Sequence, residues 1–297
     1  MSEKKIVVVL MGGISSEREV SLSSGKGVVR ALKKLGYVTN PIVVGEDLSK
    51  LIRTLKRIKP DVVFNALHGR FGEDGCIQGV LNWLKIPYTH SGVLASSIGM
   101  DKEMTRQLAI RAGVPVAKGG MKTFAEFQKM PLPLVVKPND EGSSIGVSLI
   151  LKEEDRQALV WPQNKKMLVE EYIPGRELSV AVLDGKAVGI VELVPKKGWY
   201  DFQNKYQAGA VQHLLPAPVS KAIEKKICHY AEQVHTILGC RGVSRSDFRL
   251  DNNRIVFLEI NTSPGMTPTS LVPDMARLKH LTYEDVIECL IQGARCD

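Results

Sequence analysis

Lys5-Ile6-Val7-Val8-Val9-Leu10 runs straight into Met11-Gly12-Gly13. A continuous, largely β-branched run reads as a strand buried on both faces, which is the habit of parallel sheets. Leu22, Val28, Val29, Leu32 and Leu35 follow at helical spacing, and Gly36 closes that segment. Residues 37–44 then read as a strand, 48–58 as a helix, 61–67 as a strand, 75–84 as a helix and 86–89 as a short strand. This alternation predicts an α/β chain opening with a Rossmann-like parallel sheet covered by helices. Ligands of such sheets sit at the carboxyl ends of the strands. Two glycine-containing segments fall there, Gly12-Gly13-Ile14-Ser15-Ser16-Glu17 and His68-Gly69-Arg70-Phe71-Gly72-Glu73-Asp74-Gly75.

Beyond this unit the pattern changes. Residues 100–112 read as a helix, 134–138 as a strand stopped by proline, 147–151 as a strand and 167–173 as another, ended by Pro174-Gly175. Asp184-Gly185, between the apolar runs 178–183 and 187–193, is a strong hairpin signal. Residues 196–214 are polar and lack a core-facing period, as a lid over a site would. Ile223, Ile227, Tyr230, Ala231, Val234 and Leu238 mark an amphipathic helix, and residues 244–250 and 255–261 two more strands. Three units are therefore expected: 1–91, 92–175 and 176–297, the last carrying the lid 196–214.

Composition narrows the function classes. The chain has 297 residues, 40 Lys+Arg against 32 Asp+Glu, 44% hydrophobic and 24% charged. That is globular composition, not disorder. No apolar run approaches the roughly 20 residues that span a bilayer, so no membrane role is expected. The amino-terminal apolar run is too short for a secretory signal, with Glu17-Arg18-Glu19 close behind. The five cysteines are scattered without a CxxC, which fits reduced thiols and a cytoplasmic protein. The net charge of +8 reads as solvated helix faces and suits a small anionic ligand such as a nucleotide. No basic cluster is interleaved with aromatics, so no nucleic-acid partner is expected.

The most informative chemistry lies in Arg245-Ser246-Asp247 and Glu259-Ile260-Asn261. Strand alternation puts Arg245, Asp247 and Arg249 on one face of the first strand, and Phe257, Glu259 and Asn261 on one face of the second. Val256, Leu258 and Ile260 then form the apolar face. Two carboxylates and an amide oxygen make an oxygen-only set suited to Mg²⁺ shared with phosphate. Each residue alone reads as readily as a solvent-facing sheet residue. If Asp247 pairs directly with Glu259 in a regular ladder, Asn252-Asn253-Arg254 is a three-residue loop. A two-residue turn would instead pair Asp247 with Leu258 and put the acids on opposite faces.

Lys137 ends an apolar strand, where it neutralises a phosphate or snorkels to the surface. The loop Glu141-Gly142-Ser143-Ser144-Ile145-Gly146 offers backbone N–H groups as an anion nest. It is no Walker A loop, and Gly12-Gly13 does not complete GxGxxG. Glu170 and Glu171 are adjacent on a strand, so they diverge and are no catalytic pair. His68 stands at a strand's carboxyl end. The other histidines and the cysteines show no metal-ligand spacing.

Taken in order, these segments resemble the D-alanine–D-alanine ligases of the ATP-grasp superfamily over nearly the whole chain. The carrying motifs are Gly12 to Ser21, Ala66-Leu67-His68-Gly69 with Gly72 to Gly75, Met100-Asp101-Lys102, Val136-Lys137-Pro138 with Glu141 to Ser144, Lys205-Tyr206, Arg245-Ser246-Asp247 and Glu259 to Thr267. The resemblance implies a pre-ATP-grasp amino-terminal domain and a two-subdomain ATP-grasp fold. It implies ATP and D-alanine as substrates, two Mg²⁺ or Mn²⁺, a homodimer, and a role in peptidoglycan synthesis and hence cell shape. The reaction implied is phosphorylation of one D-alanine carboxylate, then attack by the amine of a second.

By the same resemblance, Lys102 and Lys137 contact ATP phosphates, and Glu170, Glu171, Ile173 and Glu177 line the adenine and ribose pocket. Asp247, Glu259 and Asn261 hold the metals. Arg245 and the Gly265 N–H stabilise the oxyanion. Glu17 pairs with the first D-alanine's ammonium near His68, while Ser270 and Leu271 receive the second substrate. Glu17, Ser143 and Tyr206 form a hydrogen-bonded set, with Lys205 against phosphate. Two departures stand out: residues 151–166 are short and carry Trp161-Pro162, which trims a helix, and Asp140 places an acid beside the phosphate loop. The rivals are a D-alanine–D-lactate ligase or another ATP-grasp carboxylate–amine ligase.

Overall fold

The computed structural model describes residues 5–142, 145–196 and 211–297. Ser143, Lys205 and Tyr206 lie outside these residues, as does most of the expected lid.

The amino-terminal unit holds β1 (Ile6–Gly12), α1 (Arg18–Lys34), β2 (Val38–Val44), α2 (Leu48–Ile58), β3 (Val62–Asn65) and α3 (Cys76–Trp83). Its three strands are parallel in the order β2-β1-β3. Val7 to Leu10 are wholly buried, because α1 covers one face and α2 and α3 the other. The strand expected at 86–89 is reduced to a single parallel bridge between Val63 and Tyr88. Two residues later His90 takes a left-handed conformation (φ 70), which ends any extended run. Gly12 and Gly13 also take left-handed φ (89 and 82), turning the chain at the sheet's carboxyl edge, where a side chain would be strained. Beside that turn, the Ser21 hydroxyl accepts from Gly12 N–H at 2.8 Å and donates to the Ala66 carbonyl at 2.6 Å, which ties the ends of β1 and β3 to α1.

The middle of the chain contributes α4 (Val93–Met100), α5 (Lys102–Arg111), β4 (Gly119–Lys122), α6 (Phe124–Phe127), β5 (Leu134–Lys137), β6 (Ser148–Ile150), α7 (Glu153–Ala158) and β7 (Met167–Glu171). The strands form an antiparallel sheet ordered β4-β7-β5-β6. The trimmed helix is the six-residue α7. In compensation, the buried Arg156 donates to the Phe127, Gln128 and Met130 carbonyls, and Trp161 stacks on Phe127 at 5.1 Å.

The last unit comprises β8 (Arg176–Leu183), β9 (Lys186–Pro195), β10 (Val211–Leu214), α8 (Lys221–Ile237), β11 (Val243–Asp251), β12 (Arg254–Asn261), α9 (Leu271–Ala276) and α10 (Tyr283–Gln292). The sheet is antiparallel, in the order β10-β9-β8-β11-β12. Asp184 and Gly185 make the expected turn with φ 47 and 76. The end of the polar segment is not loop: Val211–Leu214 pairs with β9 as the edge strand. Ile227, Ala231 and Val234 of α8 pack on Val180, Phe248, Phe257 and Ile260.

Asp247 does pair with Glu259, but by another route than a three-residue loop. Asn252-Asn253 is a two-residue turn, with Asp251 opposite Arg254 and Phe248 opposite Phe257. A bulge between Asp247 and Phe248 leaves Leu258 as the extra residue and restores the Asp247–Glu259 pair. The bulge also corrects the face reading. Phe257 lies in the core against Phe248, with ring centroids 5.6 Å apart. Val256 packs with Ala117 and Ile173, and Leu258 lines the cleft between the two antiparallel sheets. Unbroken alternation fails because one inserted residue reverses the phase.

Candidate active site

Two adjoining clefts share Lys102, Glu141 and Glu259. The narrower, about 120 Å³, lies between the two antiparallel sheets and is lined by Val135, Lys137, Leu149, Glu170, Glu171, Tyr172, Ile173, Glu177, Asp247 and Arg249. The wider, about 580 Å³, opens toward the carboxyl ends of the parallel strands. It is lined by Glu17, His68, Glu73, Arg245, Asn261, Gly265, Ser270 and Leu271. The structure thus gathers every described candidate into one continuous site.

In the narrow cleft the carboxylates are held by cations. Lys137, at the end of β5, pairs with Glu170 at 2.8 Å, and Arg106 of α5 approaches the other Glu170 oxygen at 3.4 Å. Burial alone would lower the Lys137 pKa, but Glu170 and Glu259 outweigh it and raise the value. Glu171 points the other way, as alternation requires. It accepts from Lys118 N–H at 3.0 Å and from Arg254. Lys102, in the first turn of α5, donates to the Glu141 carbonyl and stands 3.8 Å from Glu259. Asn139 fastens the loop after β5 to that helix end, accepting from Lys102 N–H at 3.0 Å and Glu103 N–H at 2.9 Å. The neighbouring Asp140 is exposed.

At the junction, Asp247 accepts two hydrogen bonds from Arg245, at 2.9 and 2.8 Å, and one from Ser179 at 2.5 Å. A carboxylate has roughly four lone-pair sites, so a position remains for a further ligand. Asn261 turns its amide oxygen to Ser263 N–H at 2.8 Å. The cross-strand acids and this amide offer only oxygen donors, a set that fits a hard divalent cation.

In the wide cleft, Glu17 stands just before α1. A Cβ on Gly69 would lie 2.9 Å from its carboxylate and one on Gly142 3.5 Å, so Glu17 stands between the loop after β3 and the loop after β5. His68 is buried, 3.3 Å from the Ser24 hydroxyl and 4.0 Å from Glu73. Burial lowers the His68 pKa, with Arg245 acting in the same direction against Glu17. Glu73 moves the opposite way. Burial and the nearby Glu17 push its carboxyl up to about 8, and its Oε2 has no hydrogen-bond partner among the described residues. Ser270 directly precedes α9, and its hydroxyl accepts from Thr267 N–H at 3.0 Å. Sequence reading gave no role to Glu73, Arg106, Ser24 or His213, the last of which reaches this cleft from β10. Only Glu73 carried a signal, its place five residues after His68 in a glycine-rich loop at a strand's carboxyl end.

Two antiparallel sheets closing on a cleft with a strand-end lysine and a cross-strand pair of acids, joined to a parallel-sheet unit, define an ATP-grasp enzyme. The family profile described as "D-ala D-ala ligase C-terminus" matches residues 113–292, and "D-ala D-ala ligase N-terminus" matches residues 46–91. The D-alanine–D-alanine ligase of Paramagnetospirillum magneticum is 46% identical, with 99% of each chain covered. That of Granulibacter bethesdensis is 48% identical, with 98% of each covered. Among solved structures, the Bacillus anthracis D-alanine–D-alanine ligase complexed with ATP aligns with TM-score 0.84 and 28% identity, covering 98% of this chain and 97% of that one. The VanG D-Ala:D-Ser ligase of Enterococcus faecalis aligns with TM-score 0.82 and 28% identity, covering 98% of this chain and 99% of that one. The chain belongs to the D-alanine–D-alanine ligase family.

Proposed function

We propose that the protein joins two D-alanines to D-alanyl-D-alanine, with ATP as the phosphoryl donor, for peptidoglycan synthesis. The observation that carries this is the continuity of the two clefts, with Lys102, Glu141 and Glu259 common to both. A phosphoryl group leaving the narrow cleft arrives where an amino-acid carboxylate can sit.

The narrow cleft takes the nucleotide. Glu170, Glu171, Ile173 and Glu177 line the base and ribose, and Lys137 and Lys102 face the phosphates. Asp247, Glu259 and Asn261 hold two Mg²⁺ or Mn²⁺, which when bound neutralise charge on the transferring phosphoryl group. In the wide cleft Glu17 receives the ammonium of the first D-alanine beside His68. The carboxylate of this D-alanine attacks the γ-phosphorus, and ADP departs. The second D-alanine, with its carboxylate at Ser270 and Leu271, attacks the acyl phosphate through its amine. Arg245 and the Gly265 N–H stabilise the tetrahedral oxyanion, and phosphate leaves. By resemblance to the family, Ser143 and Tyr206 would act with Glu17, and Lys205 would serve the phosphate. The working form is a homodimer acting in the cytoplasm, divided near residues 91 and 175.

Phosphate release measured with D-alanine and ATP, with and without Mg²⁺, tests this reading. Turnover that needs all three and yields D-alanyl-D-alanine is expected. A dominant depsipeptide or D-alanyl-D-serine product in competition with D-lactate or D-serine would replace it with one of the related specificities.

A further inference from the structure

Arg249 is the charged residue on the cleft face of β11 to which the ligase reading gives no role. Its Nε donates to the Ile173 carbonyl at 3.1 Å and its Nη1 to Glu177 Oε2 at 3.3 Å. Arg249 and Glu177 are direct cross-strand partners in the β11–β8 ladder. Their side chains are only 16% and 14% exposed, and both line the narrow cleft. A backbone carbonyl and a carboxylate thus hold two of the three nitrogens of the planar guanidinium, and its orientation is preset. A carboxylate only accepts and a guanidinium only donates, whereas a hydroxyl does both. An acceptor and a donor fixed side by side match a vicinal diol.

We propose that Arg249 is a specificity-determining residue that reads the ribose diol of the nucleotide together with Glu177. Glu177 accepts from one hydroxyl, and the guanidinium of Arg249 donates to the oxygen of its neighbour. This rests on the assignment of the narrow cleft to ATP. A 2′-deoxynucleotide leaves one of these two mostly buried groups without its partner, and sites built this way reject the analogue. Were Arg249 merely a tie between Ile173 and Glu177, its loss would lower stability without changing the preference between sugars.

Calorimetric titration of the unmodified protein with ATP and with 2′-deoxy-ATP, both with Mg²⁺, is the first measurement. ATP is expected to bind about tenfold tighter, and equal affinities would overturn the proposal. Arg249→Met should narrow the ATP to 2′-deoxy-ATP ratio of kcat/KM by about two- to tenfold, with the KM for D-alanine unchanged. Arg249→Lys keeps the charge without the fork and should narrow it as well, which covers a poorly folding Met variant. An unchanged ratio in a folded variant overturns the role of Arg249 and leaves the ligase reading standing. Binding of neither nucleotide overturns both.

Discussion

The two clefts handle buried acids in opposite ways. In the narrow cleft the carboxylates stay beside cations: Glu170 between Lys137 and Arg106, Glu171 against Arg254, Glu177 against Arg249. In the wide cleft Glu73 is sealed near Glu17, with the depressed His68 4.0 Å away, and keeps its proton to about pH 8. Burial and the nearby Glu17 outweigh Arg245 and raise the Glu73 pKa, whereas each acid of the narrow cleft has a cation beside it. A cleft for a polyanion needs its cations held in position, and paired carboxylates hold them. A cleft for a zwitterion needs few net charges, and protonation removes one.

The largest effect expected from this contrast is on stability. Glu170→Ala strands Lys137 and Arg106 in the interior and should cost about 3–5 kcal/mol, read from urea unfolding. A loss under about 1 kcal/mol would mean that the narrow cleft does not depend on charge pairing. Next comes Glu259→Gln, which keeps shape but removes one charge from the oxygen set. Turnover should fall by at least about a hundredfold at ordinary Mg²⁺, with an unchanged melting curve. Near-normal turnover would remove Glu259 from the metal site.

Glu73 supplies a pH test of the other cleft. The folded protein keeps the Glu73 proton up to about 8, while the unfolded chain releases it near 4.5. The native state therefore binds more protons across that window, so this contribution lowers stability as pH rises through it. His68 acts oppositely, costing stability as pH falls below its ordinary 6.5, and it is present in both proteins compared. The melting temperature of Glu73→Gln relative to the unmodified protein should thus be higher by about 5–7 °C at pH near 9 than at pH near 5. A difference that does not change with pH would show Glu73 ionised in the fold. The smallest effect belongs to Glu171→Gln. Its pair with Arg254 is open to solvent, so the loss should stay below about 1 kcal/mol by the same unfolding measurement.

What the sequence made legible follows one rule: features carried by residues close along the chain could be read. The buried strand at Val7 to Leu10, the helix at Leu48–Ile58 and the Asp184-Gly185 turn each declare themselves in a few residues. The divergence of Glu170 and Glu171 followed from alternation alone. What escaped depends on distant packing. The raised pKa of Glu73 needs Glu17, which stands on a different loop. The reach of Arg106 to Glu170 needs α5 laid beside β7. Tyr88 looked like part of a strand but forms only one bridge with Val63 and one with Arg295, because the chain turns at His90. The bulge at Leu258 left no mark in the composition of its strand, so strict alternation put Phe257 on the wrong face.

That bulge leaves this strand with one residue to spare in its ladder. Exchanging Leu258 for another apolar residue leaves every neighbour in phase. Deleting it would make the ladder regular from the Asn252-Asn253 turn onward, with Glu259 still opposite Asp247 and Ile260 still opposite Ser246, so that each keeps its face. A single codon lost there would remove the local twist of the bulge and the Leu258 side chain from the cleft while leaving the two acids paired. Lineages of this chain are therefore expected to vary in the identity of residue 258, and one that lacks it is expected to keep Glu259 opposite Asp247.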